Sequence, residues 1–452
     1  MNSTGIPRIL TQVRENKRLI RIIQFSILVV LAVGIVALHS AFTRRIWIDE
    51  FLHFALAAQS PNEILSTIYQ TTGSGVNHGQ TGAHLLLDAA LIKVFGASNF
   101  FLRLPSYIAG FILLLSAAAF MRVKAKAFIW QILVIIALGA QSKMAESIGD
   151  ARPYIFLAST IIAALAYFSF SATQQKSWLG KGFGVFAILV GAIFHPYWLP
   201  LLMGVVILTW IFSSLKSRSW SLQTLIRHSR WRFTLTGIIL YFATGSLTWI
   251  KESPSFSFDP FEMIPVEYFL YTFEASHFAF LYRFDVIVPL MMVVTVTIIS
   301  RLRQLSSPIW SPLLLVTFGL SSSVVFSAIS FLRDYWIIER QWVVGEALVA
   351  IGTIWLLAEL IRINDRSKSF FLHFISASVF LSILLSFGSA AIQKITLLNE
   401  QSQEWAFIEV DPRSIKEIAL SGDEYAWVDA ANTNIYRGGE IDGVFRKYYL
   451  SD

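Results

Sequence analysis

The chain has 452 residues, no cysteine, 55% hydrophobic residues and 14% charged ones, against roughly 25% charged in a soluble domain. With a mean hydropathy of +0.61 and several apolar runs near the roughly 20 residues that cross a bilayer, this composition excludes an ordinary soluble globule and a single-anchor protein. The formal charge of +7 arises from 36 Lys plus Arg against 29 Asp plus Glu, and the absence of cysteine excludes disulfides, thiolate catalysis and cysteine-ligated metal.

Apolar runs fall near residues 20–41, 99–121, 127–143, 153–172, 182–195, 197–214, 233–250, 284–300, 309–330, 340–361 and 370–391. They predict an all-α polytopic membrane protein of about 11 transmembrane helices. The first run is full length and lacks a small-residue cleavage site, so it is expected to stay as the first span instead of being removed as a signal peptide. The run at 182–195 ends at His195-Pro196, so a span broken together with its successor is the alternative there.

Charge orients these spans. With the N-terminus in the cytoplasm, the inner segments carry 20 basic residues and 2 acidic ones (Glu15, Asp365), while the outer segments carry 15 basic and 25 acidic. The positive-inside bias therefore favours an odd number of spans and a non-cytoplasmic C-terminus, in a multi-pass protein of the cell inner or plasma membrane. Because the basic charge sits in short inner loops, it implies no nucleic-acid partner.

On this topology the outer face holds a first loop (42–98), a second long loop (251–283) and a C-terminal segment (392–452). Stretches 48–58, 61–70 and 82–95 of the first loop are too short or too polar to span, and predict helices lying along the membrane surface. His84, Asp88 and Lys93 mark the last of these as interfacial. Short β-like runs at 405–410, 424–428 and 444–450, set among turn residues, predict a small α/β or β appendage after the membrane domain (1–391).

Polar residues concentrate in two outer clusters. The first, Arg44-Arg45-Ile46-Trp47-Ile48-Asp49-Glu50-Phe51-Leu52-His53, places two adjacent carboxylates after an interfacial tryptophan. Its plain reading is an aromatic belt residue, snorkelling arginines and helix-capping acids. The second cluster, Glu146-Ser147-Ile148-Gly149-Asp150-Ala151-Arg152-Pro153-Tyr154, repeats the combination of carboxylate and arginine between spans three and four. Ionisable residues at the ends of buried spans mark functional sites.

Asp49 and His53 stand four apart on one helical face, a pair that suits zinc or manganese. No HExxH or comparable ligand spacing occurs, so no metal ligands are assigned and a divalent metal stays open as a cofactor. The sequence has no P-loop, and its Gly73-Ser74-Gly75-Val76-Asn77-His78-Gly79 stretch has neither the glycine spacing nor the βαβ setting of a dinucleotide loop.

Trp47-Ile48-Asp49-Glu50, Asn77-His78-Gly79-Gln80 and the stretch from Phe95-Gly96-Ala97-Ser98-Asn99 to Arg103-Leu104-Pro105-Ser106 resemble the opening of GT-C glycosyltransferases. The protein O-mannosyltransferase and aminoarabinose transferase group is the nearest in pattern. The resemblance covers about residues 15–200. The sequence departs from it where Asn77-His78-Gly79-Gln80-Thr81-Gly82 replaces the customary His/Pro-Pro-Leu segment, and where Trp342 follows Glu339-Arg340-Gln341 in place of a tyrosine.

The resemblance implies a GT-C-like fold and transfer of a hexosyl or pentosyl unit from a polyprenyl-phosphate donor to an acceptor hydroxyl outside the cytoplasm. Asp49, Glu50 and Asp150 are the candidate catalytic carboxylates, with Asp49 as base. Arg103, Arg152, Arg340 and His78 are candidates for binding the donor phosphate, and Trp47, Tyr154, His195 and Tyr197 for lining the acceptor or sugar pocket. The expected partners are the lipid donor, the bilayer, and an acceptor that is a protein, a lipid or a glycan. A lipid or glycolipid transporter or flippase without chemistry is the competing class, although internal repeats and midplane polar residues, usual in such folds, are not evident.

The topology is open to a direct check, since the chain lacks cysteine. Single cysteines at Ser74, Ser255 and Ser421 are expected to react with an impermeant maleimide in intact cells, and one at Ser217 to stay unreacted. Labelling at Ser217 alone would invert the arrangement.

Overall fold

The computed structural model describes residues 82–217 almost throughout, 231–244, 309–319 and 343–367, with scattered positions at 29–37, 50–65, 321–322 and 377–381. The described elements are helices. In chain order they are α1 (Gly82–Phe95), α2 (Asn99–Lys124), α3 (Phe128–Ala140), α4 (Ser142–Ile148), α5 (Tyr154–Ser169), α6 (Ala172–Lys176), α7 (Trp178–Phe194), α8 (Trp198–Ser217), α9 (Trp231–Ala243), α10 (Ile309–Gly319) and α11 (Val343–Ser367). Three contain stretches long and apolar enough to cross a membrane: Phe100–Lys124, Trp198–Leu215 and Val343–Ile363. With the shorter apolar helices around them, they make this a multi-pass membrane protein. The expected runs at 20–41, 284–300 and 370–391, the loop 251–283 and the segment 392–452 lie wholly or mostly outside the described residues.

Helix α5 is the hub. Its residues from Tyr154 to Ala166, and Phe168, are buried, as expected of a helix apolar on every side. It packs against α2, α7, α8 and α11, and α3 packs in turn against α2 and α11. Helix α2 opens on Ser98, whose hydroxyl accepts from the Phe101 backbone N–H at 3.2 Å, one of the first-turn donors that has no partner within the helix. It closes with Arg122 and Lys124 in the last turn, where cations suit the helix dipole. There the Lys124 ammonium lies 5.5, 5.5 and 5.1 Å from the rings of Phe120, Phe212 and Trp355, joining α2, α8 and α11 through cation–π contacts.

Two sequence expectations are refined. The run at 127–143 is two helices, α3 and the short α4, so Glu146 stands on a helix of its own. The run at 182–195 is not continuous with its successor: α7 ends at Phe194, His195 is extended (φ −150, ψ 131), and α8 begins at Trp198. Within α7, residues Phe186–Val190 form a π-helical turn. The Ala187 carbonyl in this turn accepts a hydrogen bond from Trp198 Nε1 at 2.8 Å. The indole is fully buried against Tyr241, and it comes so near Gly191 that a β-carbon there would lie 2.1 Å from Nε1.

This contact predicts unequal outcomes for two glycines of one helix. Gly191→Ala is expected to cost about 1–3 kcal/mol through overpacking against Trp198. Gly182→Ala, where nothing lies within 4 Å of an added β-carbon, should be neutral or stabilising by about 0.5–1 kcal/mol. Thermal unfolding of the two purified variants in detergent checks the contrast, and equal losses would contradict it.

Candidate active site

The two polar clusters of the sequence meet at one buried carboxylate. Glu50 Oε1 accepts from Arg103 Nε at 2.7 Å and from the Ala151 backbone N–H at 2.8 Å, while Oε2 accepts from Arg103 Nη2 at 2.5 Å. Both side chains are fully buried. The segment holding Glu50, the second turn of α2 and the loop entering α5 are thereby tied together across 53 and 101 residues of sequence.

The planar guanidinium explains why an arginine stands here. It meets a carboxylate with two parallel donors, which an ammonium does not. Arg103 lies one turn into α2, where Ser98 fixes the helix start. Ser106, one turn further on, donates through Oγ to the Arg152 carbonyl at 3.4 Å and adds a weaker tie to the same loop. Arg152 Nη2 donates to Tyr154 Oη at 3.2 Å, with the guanidinium 5.6 Å from that ring. The Tyr154 ring lies 6.4 Å from His195. His195 Nδ1 accepts from the Tyr197 backbone N–H at 3.2 Å, which leaves the ring proton on Nε2. Asp150 and Glu146 are buried in the same region of the chain, so the described residues around this loop enclose several carboxylates beside two arginines.

A second buried group adjoins the first. His53 Nε2 is 2.5 Å from Asp88 Oδ2 and 2.8 Å from His84 Nδ1, and His84 Nδ1 is 3.1 Å from the same carboxylate oxygen. Burial pushes the His53 imidazole below its usual range, although the hydrogen bond to Asp88 opposes this. Burial alone would raise Asp88, but His84 and His53 outweigh it and hold the carboxyl below the usual carboxylate range. His84 is enclosed by the edges of Phe156 and Phe194, with ring centroids 5.5 and 6.2 Å away.

Of the sequence candidates, Glu50, Arg103, Asp150, Arg152, Tyr154, His195 and Tyr197 are described and buried. Trp47, Asp49, His78 and Arg340 lie outside the described residues. Glu50 has both oxygens engaged, by the Arg103 fork and the Ala151 backbone N–H. Arg103 directs Nε and Nη2 to Glu50. His53 contacts His84 and Asp88, while its expected partner Asp49 lies outside the described residues. His84 and Asp88 face inward on α1, while Val94 and Phe95 are exposed. The usable signal was their spacing: residues four apart on α1 share one face.

No protein-family model matches the chain, and no curated protein matches it in sequence. Solved structures do match. The chain is similar to ArnT from Cupriavidus metallidurans bound to undecaprenyl phosphate, with 12% identity over 90% of this chain and 79% of that one and a TM-score of 0.48. For the apo state of the same protein the values are 14%, 89%, 80% and 0.45. It is also similar to the archaeal oligosaccharyltransferase AglB from Archaeoglobus fulgidus, in complex with an inhibitory peptide and a dolichol-phosphate, at 10% identity over 94% of this chain and 59% of that one, with a TM-score of 0.42. ArnT, an aminoarabinose transferase, and AglB are members of the GT-C superfamily, the one that the sequence motifs resemble.

The ion pair makes a sharp stability prediction. Arg103→Met strands the Glu50 carboxylate and is expected to cost about 3–5 kcal/mol, whereas the double variant Glu50→Leu/Arg103→Met should recover most of that loss. A double-mutant cycle by thermal unfolding in detergent measures it, and additive losses would contradict the pairing.

Proposed function

We propose that this chain is a membrane glycosyltransferase that moves a sugar from a polyprenyl-phosphate donor to an acceptor hydroxyl on the non-cytoplasmic face. The observation that carries the reading is the convergence of the two outer clusters on Glu50, which gathers buried carboxylates, Arg152, Tyr154 and His195 at the end of a membrane bundle. Nucleotide sugars are absent outside the cytoplasm, so an activated sugar there must come on a lipid phosphate. The lipid phosphates named with the ArnT and AglB structures, undecaprenyl phosphate and dolichol-phosphate, are of that class.

In this proposal residues 1–391 form the catalytic domain, with the N-terminus in the cytoplasm and the segment 392–452 outside. Phosphate is already a good leaving group, so the site needs a base for the acceptor and positive charge for the departing oxygens more than it needs an acid. Asp49 takes the proton of the acceptor hydroxyl. The oxygen then attacks the anomeric carbon as the bond from that carbon to the phosphate oxygen breaks, with inversion, and polyprenyl phosphate leaves with the electron pair. Arg152, Arg340 and His78 receive the negative oxygens, and Asp150 orients Arg152. Trp47, Tyr154, His195 and Tyr197 line the pocket for sugar or acceptor. Glu50 and Arg103 act as positioning residues that tie the segment around residue 50 to α2 and to the loop entering α5.

Turnover tests the proposal. Asp49→Asn keeps the shape and loses the basicity, so purified protein given a radiolabelled polyprenyl-phosphate sugar is expected to lose roughly 100-fold or more in rate with its unfolding temperature near wild type. Glu50→Gln should lower the unfolding temperature as well. An active Asp49→Asn enzyme would remove the base from this account, and wild-type binding of the donor without turnover would favour the transporter class.

A further inference from the structure

We propose that His53, His84 and Asp88 form a divalent-metal site, suited to zinc, that fastens the segment holding His53 to α1. This inference stands independently of the glycosyl-transfer reading. The donors His53 Nε2, His84 Nδ1 and Asp88 Oδ2 converge at separations of 2.5, 2.8 and 3.1 Å, and all three residues are buried.

Hydrogen bonding alone does not satisfy this triangle. A ring nitrogen offers one in-plane position, filled by a proton or by a lone pair, and an ionised carboxylate only accepts. If both inward nitrogens carry protons, two N–H groups face each other across 2.8 Å. If only one does, the bare nitrogen opposes carboxylate lone pairs across 2.5 or 3.1 Å. With neither protonated, three lone pairs converge. A cation at the centre accepts all three at once, and no proton assignment beside an ionised Asp88 does the same.

One unpartnered atom supports the same conclusion. Asp88 Oδ1 is buried without a hydrogen-bond partner among the described residues, at a cost in free energy that a native structure ordinarily avoids. Metal on His84 Nδ1 places the ring proton on Nε2, and Asp88 Oδ1 is left to complete bidentate ligation or to accept from a metal-bound water. His84 and Asp88 stand four apart on α1, the spacing by which one helix face offers two ligands to one ion. The set of two imidazoles and one carboxylate is of the kind that binds zinc with a fourth position left open. Tetrahedral ligation at ~2.0–2.1 Å sets donor separations near ~3.3 Å, so seating the ion spreads the three sides of this triangle by about 0.2 to 0.8 Å.

The test uses full-length protein purified in detergent, stripped with chelator and titrated with Zn2+ alone or Co2+ alone. One equivalent of zinc per chain is expected, as is the intense visible absorption of tetrahedral Co2+. Asp88→Asn and His84→Gln should each weaken zinc binding by roughly 100-fold or more, while His228→Gln leaves it unchanged. Failure of stripped wild-type protein to take up zinc would overturn the proposal. So would the weak spectrum of octahedral Co2+, or wild-type affinity in an Asp88→Asn variant that elutes as the wild type does. Should both ligand variants fail to fold, the two wild-type titrations decide the matter.

Discussion

Glu50 is a buried anion whose two oxygens accept three hydrogen bonds, from both sides of the Arg103 fork and from the Ala151 backbone. A carboxylate removed from water is tolerable only with such compensation, and so is the guanidinium opposite it. Each therefore constrains the other, and together they fix where the segment holding Glu50, α2 and the loop entering α5 must meet. Replacement of the pair by apolar residues could preserve stability, but it would lose the directional geometry that sets the register of these segments. Its value is then chiefly one of specification. The apolar packing of α5 against α2, α8 and α11 supplies the burial, and a helix buried on every side has no polar stripe of its own to fix its rotation.

That division of labour shapes the site. In an apolar bundle, helices slide and rotate at little cost unless polar contacts select one arrangement. Here the selective contacts lie at one end. They include the Glu50 latch, the Ser106 contact with the Arg152 carbonyl, and the contacts of His53 with His84 and Asp88 of the neighbouring α1. Arg152, Tyr154 and His195 stand on the loop entering α5, at the start of α5 and just after α7, beside these contacts. The opposite end of α2 is held by a different device, the Lys124 ammonium among three rings of α2, α8 and α11.

Helices α2, α5 and α8 were legible because long apolar runs with clear breaks announce membrane spans, and Ser98 announces the start of α2. The gathering of the two charged clusters was legible as a composition of acids and arginines recurring on one face. Which acid does what was not. Asp49 and Glu50 are adjacent and chemically alike, and only the three donors around Glu50 separate them. Arg103 and Arg152 likewise look the same in sequence, yet one meets a carboxylate and the other a tyrosine. The inward role of His84 and Asp88 is not legible either, because polarity on a short helix does not reveal a partner contributed 31 residues before His84. The π-helical turn in α7 depends on the Trp198 indole reaching back to Ala187, a tertiary cause with no local signature.

The central claim is that the Glu50 latch holds a site for a lipid-borne phosphate beside Arg152. An experimental structure of the protein with bound polyprenyl phosphate tests it most directly. The account predicts the phosphate within hydrogen-bonding distance of the Arg152 guanidinium, with Arg103 still paired to Glu50. A phosphate held by Arg103 after release from Glu50, or seated away from the loop entering α5, would contradict it.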